Sequence, residues 1–116
     1  PLGAIYDAHH GRLNAILMPY VVQANRSVIE QKIVRLANYL AIDNGFAGFL
    51  EWILHLRREL GIEHSLLEIG IDAHDVARIA TMATEDPSAQ SNPILFDDLQ
   101  YKNILTAAIH GDPYPL

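Results

Sequence analysis

The stretch Ser27-Val28-Ile29-Glu30-Gln31-Lys32-Ile33-Val34-Arg35-Leu36-Ala37-Asn38-Tyr39-Leu40, followed by Asp43-Asn44-Gly45, decides the fold class. Ile29, Ile33, Leu36 and Leu40 recur at spacings of four, three and four, which is one face of an α-helix and not the alternation of a strand. Ser27 with Glu30 three residues on has the spacing of a capping box, so a helix is predicted to begin near Val28. Asp43, Asn44 and Gly45 are predicted to end it.

Upstream, Leu13 to Ala24 is apolar on all sides and contains Pro19, which removes one helical donor and frees the carbonyl of Ala15. A kinked, central helix is predicted there. Downstream, a third helix runs from Phe46 to Leu60, with Phe46, Phe49, Leu50, Ile53, Leu54 and Leu60 on its core side and Gly61 as C-cap. Ser65 and Glu68 repeat the capping-box spacing for a short turn closed by Gly70. Asp72 and Asp75 open a helix carrying Val76, Ile79, Ala80 and Ala83, and Asp86 before Pro87 ends it. A polar loop, Ser88 to Asn92, precedes a last helix capped by Asp97, bearing Tyr101, Ile104, Leu105 and Ala108, and finished by Gly111. Only Tyr20-Val21-Val22 has strand-like propensity. The predicted architecture is all-α, a bundle of about five to six helices forming one domain over residues 1–116.

Fourteen acidic against eight basic residues give a net charge of -6, and the cations are scattered, which argues against nucleic acid and anionic membrane as partners. With no cysteine there is no disulfide framework and no thiolate site, so any metal must use imidazole, carboxylate or water, and the default compartment is cytoplasmic. No apolar run approaches the roughly 20 residues of a membrane span. The chain opens at Pro1 without a methionine and reads as part of a longer sequence.

The six histidines are the place to look for a metal site, but no two stand three or four apart. Glu51 and His55 share a helix face and read as an ordinary side-chain pair. His64 and His74 read as surface residues near helix starts. The glycines are too dispersed for a phosphate loop, no serine has a nucleophile-elbow context, and Asp72, Asp75, Asp97 and Asp98 sit where helix dipoles favour them. The residues themselves therefore stop at an α-helical domain with one conspicuous pair, His9-His10, ahead of Gly11.

The segment Pro1-Leu2-Gly3-Ala4-Ile5-Tyr6-Asp7-Ala8-His9-His10-Gly11-Arg12-Leu13-Asn14-Ala15-Ile16-Leu17-Met18-Pro19 resembles the histidine-glycine signature of iron-containing alcohol dehydrogenases. Gly61-Ile62, Gly70-Ile71-Asp72 and Asn92-Pro93 extend the resemblance over nearly the whole chain. It departs at His9, where the family commonly has proline, and at Arg12, where a small or apolar residue is usual.

The resemblance implies the C-terminal part of a dehydroquinate synthase-like fold. It implies that His10 is one of four protein ligands of a divalent metal, iron or alternatively zinc, the other three lying upstream. It further implies NAD or NADP held by an N-terminal dinucleotide-binding domain absent from this chain, and an alcohol exchanged for an aldehyde or ketone. Ser88 and Asn92 match a loop lining the substrate pocket in the family. The chain alone is expected to be inactive, and Ala15 to Val22 to be covered by missing residues or by self-association into a homo-oligomer. A free-standing, non-catalytic helical interaction module is the alternative.

Overall fold

The computed structural model describes residues 10–85 and 91–114, with His10 and Asp75 described by their backbone alone; His9 and Ser88 lie outside the described residues. Five α-helices follow one another: α1 (His10–Ala24), α2 (Arg26–Tyr39), α3 (Gly45–Glu59), α4 (Val76–Glu85) and α5 (Asp98–His110). Two short 3-10 turns, Leu67–Ile69 and Ala73–Asp75, precede α4. No strand occurs among the described residues, and no described helix is long and apolar enough to cross a membrane.

α1 occupies the middle, touching α2, α3 and α5, as its all-round apolar sequence predicts. Leu13, Ile16 and Tyr20 enter a core completed by Leu66, Ile71, Ile79 and Ala80, Phe96 and the inner face of α5. Pro19 is itself buried within the helix. Much of the apolar surface from Ala15 to Val22 is thus covered by this chain, so the expectation that missing residues must cover it narrows to Met18, which is 52% exposed.

A second, smaller core of Ala37, Phe49 and Ile53 holds α2 on α3. α2 packs chiefly on α3, so it buries one narrow seam centred on Ala37. Leu36 and Leu40, placed on the buried stripe by their spacing, remain 41% and 45% exposed. The predicted Ser27–Glu30 box does not form either. α2 starts at Arg26 with Asn25 as N-cap, and Glu30 pairs with Arg26 one turn before it. The reason is the single-residue junction with α1. The Asn25 backbone N–H still donates to Val21 of α1, while its carbonyl already accepts from Val28 and Ile29 of α2.

α2 ends at Tyr39, before the Asp43-Asn44-Gly45 expected to stop it, and Asn44 and Gly45 instead open α3 as its N-cap and first residue. Ala41 takes a left-handed conformation (φ 59°), letting Ile42 donate back to the Ala37 carbonyl at 2.8 Å. Gly48 lies so close under this turn that a Cβ there would sit 1.7 Å from the Asp43 carbonyl oxygen. At the far end of α3, Leu60 is 68% exposed instead of facing the core, and the buried position belongs to Arg57. α5 begins with the full capping box at Asp97: Gln100 N–H donates to the Asp97 carboxylate and Asp97 N–H to the Gln100 amide oxygen, both at 2.8 Å.

Candidate functional site

His10 is the first residue of α1. Asn14 and Met18 follow it at intervals of four, so helical geometry puts all three positions on one stripe. Gly11, Asn14 and Met18 are exposed, whereas Leu13, Ile16, Pro19 and Tyr20 are buried. Among the described residues, the stripe through Asn14 and Met18 is therefore an exposed side of α1. An imidazole is a fitting donor for iron or zinc. Among the described residues no three histidines, aspartates or glutamates come together around a point.

His55, His64 and His74 are placed by other duties. His55 pairs with Glu59 at 3.0 Å instead of Glu51, which takes the Tyr114 hydroxyl. His74 is exposed on its 3-10 turn, where its N–H donates to the Asp72 carboxylate at 2.9 Å. His64, predicted to be a surface residue, is exposed over much of its area, yet both ring nitrogens are engaged. Arg57 Nη2 donates to Nδ1 at 2.9 Å, and Nε2 donates to the Gly111 carbonyl at 2.6 Å. A guanidinium can only donate, which fixes the imidazole hydrogen on Nε2. Gly111 turns in a left-handed conformation (φ 77°) beside that ring, and a Cβ there would meet His64 Cδ2 at 2.8 Å.

Arg57 is the functional-looking residue that the sequence did not single out. It continues the face of α3 made by Phe46, Leu50 and Ile53, and it is 5% exposed. Its Nη1 donates to the Ile16 carbonyl of α1 at 2.8 Å, and its guanidinium lies 5.8 Å from the centre of the Tyr20 ring. The Tyr20 hydroxyl donates to the His64 carbonyl at 2.5 Å. Burial pushes the Tyr20 phenol above its ordinary range, with Arg57 pulling against that shift. Arg12, the departure from the family pattern, donates through Nε to Glu63 at 2.7 Å. Three ties therefore run from the first eleven residues of α1 to the segment around residues 57–64.

Asn92 is fixed at the other end of α1. It exchanges amide hydrogen bonds with Asn25 in both directions, at 2.8 and 3.2 Å, and donates to the Ile94 carbonyl at 2.6 Å. Asn25 also donates to the Val21 carbonyl at 2.9 Å and is 2% exposed. The residue expected in a substrate loop is thus the anchor of that loop's end, pinned to the α1–α2 junction.

Residues 1–109 match the Fe-containing alcohol dehydrogenase family, C-terminal, and the chain belongs to that family. Lactaldehyde reductase of Escherichia coli (strain K12) is 29% identical over 100 residues, covering 80% of this chain and 26% of that protein. 1,3-propanediol dehydrogenase of Klebsiella pneumoniae is 30% identical over 103 residues, covering 79% and 26%. Alcohol dehydrogenase 4 of Saccharomyces cerevisiae (strain YJM789) is 28% identical over 110 residues, covering 92% and 29%. The chain spans about a quarter to three tenths of the length of these relatives.

Proposed function

We propose that this chain is the C-terminal helical part of a metal-dependent alcohol dehydrogenase that exchanges hydride between an alcohol and NAD or NADP. The family match over residues 1–109, with His10-Gly11 at the start of α1, is the observation that carries this reading. His10 would supply one imidazole to a divalent ion, iron or zinc, and an aspartate and two histidines upstream would supply the rest. The ion, when bound, acts as a Lewis acid on the alcohol oxygen. The residues of this chain orient and enclose. α1 delivers the imidazole, Asn14 and Met18 extend the open stripe beneath it, and Asn92 holds the end of the loop in which Ser88 would line the substrate pocket. The upstream dinucleotide-binding domain is the partner that faces this stripe.

The test is made on the full-length protein in which this chain occurs. Purified with iron or zinc, it should oxidise a short-chain alcohol with NAD or NADP, and His10→Ala should lower bound metal and remove turnover together. Full metal content and turnover in His10→Ala would refute the assignment. The described helices bury two cores of their own, which keeps the non-catalytic interaction module in view. An intact mass near 12.9 kDa from the native source would favour that module.

A further inference from the structure

Arg57 brings a full positive charge to a position with 5% exposure, and among the described residues no carboxylate lies within ion-pair distance of it. Its Nε is buried without a partner. Burying an unpaired ion costs several kcal/mol, and an apolar side chain on the Phe46–Leu50–Ile53 face would meet the packing need without that cost. What an apolar side chain cannot do is hold two elements at a fixed angle through a planar fork. One prong of the fork takes the Ile16 carbonyl and the other takes His64, which in turn holds Gly111 at the end of α5.

The place where α1 is held matters. Ile16 lies in the turn before Pro19, where the missing proline N–H leaves the Ala15 carbonyl without its usual donor and the helix is easiest to bend. His10 is six residues upstream, roughly 9 Å along the axis at about 1.5 Å per residue. In between, Arg12 ties the same segment to Glu63, next to His64.

We propose that Arg57 is a positioning residue for His10. By gripping α1 at Ile16 and bracing on His64, it sets the bend and roll of the first turns of the helix and hence the direction from which the imidazole reaches the ion. This rests on the reading of His10 as a metal ligand. Groups that orient a ligand from behind typically shift metal affinity by about 10- to 100-fold when removed.

The experiment uses the full-length protein loaded with Co2+, whose ligand-field absorption reports coordination geometry directly. Arg57→Met should weaken Co2+ affinity at least about tenfold and shift that absorption while the far-ultraviolet circular dichroism stays helical. Arg57→Lys, which keeps one donor for the Ile16 carbonyl, should recover part of both. Unchanged affinity and absorption in a folded Arg57→Met protein overturn the proposal, and so does a Lys variant with no recovery. Should Arg57→Met fail to fold, Arg12→Gln, which loosens the neighbouring tie to Glu63, should shift the absorption in the same direction; an unshifted spectrum there is equally fatal. His10→Ala separates the two readings. If it leaves Co2+ affinity intact, the ligand assignment itself is wrong. If it abolishes binding while Arg57→Met does not weaken it, only the positioning role is wrong.

Discussion

Tyr20 shows how much one buried side chain contributes to this site. Its hydroxyl holds the His64 carbonyl from within α1, and its phenol, fully buried, titrates above the ordinary value of about 10. A folded-state value raised above the unfolded one gives stability that is complete below about pH 10 and is lost as pH climbs through the folded value. Tyr20→Phe should therefore cost about 1 kcal/mol at neutral pH, the worth of one hydrogen bond, and should flatten the alkaline loss of stability. Urea midpoints at about pH 8 and about pH 11 measure both effects; an equally steep alkaline loss in the variant would contradict the assignment. Asn25 makes the companion case. It stands at the junction of α1 and α2, but its partner Asn92 is 67 residues away and no local pattern announces the pair. Asn25→Ala leaves the Asn92 amide part-buried and half satisfied, for an expected loss of about 1–3 kcal/mol in chemical denaturation. Arg57 was hidden for a similar reason: periodicity places it on the buried face, but its charge argues for the surface, and it takes the Ile16 carbonyl and the His64 ring, both remote from it in local pattern, to explain why burial wins.

At the scale of elements, local signals succeeded wherever the backbone had no competing partner. Asp97 follows an extended stretch with free N–H groups ahead of it, and its box with Gln100 forms as the spacing predicts. Asp97→Ala should cost roughly 1 kcal/mol through loss of that cap, read as a lower urea midpoint with no change in slope. Ser27 and Glu30 carry the same spacing and fail, because α1 runs almost directly into α2 and Asn25 already occupies the cap position. The stripe on α2 was misplaced by about one position because periodicity fixes a face but not the width of what covers it. Gly48 was silent in sequence, since its role depends on the carbonyl of Asp43 folding back over α3. A Cβ cannot fit at 1.7 Å, so Gly48→Ala must displace the turn. Such overpacking typically costs about 1–3 kcal/mol, and here the affected contact is backbone, which favours the upper end. A variant as stable as the parent in thermal unfolding would show that the turn has room to move.

The whole molecule is two cores joined by α1, and that design separates what the chain can do alone from what it can only contribute. Its larger core closes around Ile16 and Tyr20 with residues from this chain only, so the isolated 116 residues should be helical and should unfold cooperatively. The all-α architecture was legible because each helix carries its own period or cap. His10 stands out only through the resemblance to a family, because the ligand set that the resemblance implies would be spread across a longer chain and would leave no spacing to recognise within one part of it. With no three ligating side chains converging among the described residues, one histidine by itself is expected to bind an ion far more weakly than a structural zinc site does. Calorimetric titration of the isolated chain with Zn2+ should therefore give binding weaker than micromolar, with no change in urea midpoint at equimolar metal, because only tight binding to the native state shifts stability. Micromolar or tighter binding that vanishes in His10→Ala would mean that these residues assemble far more of the site than one imidazole.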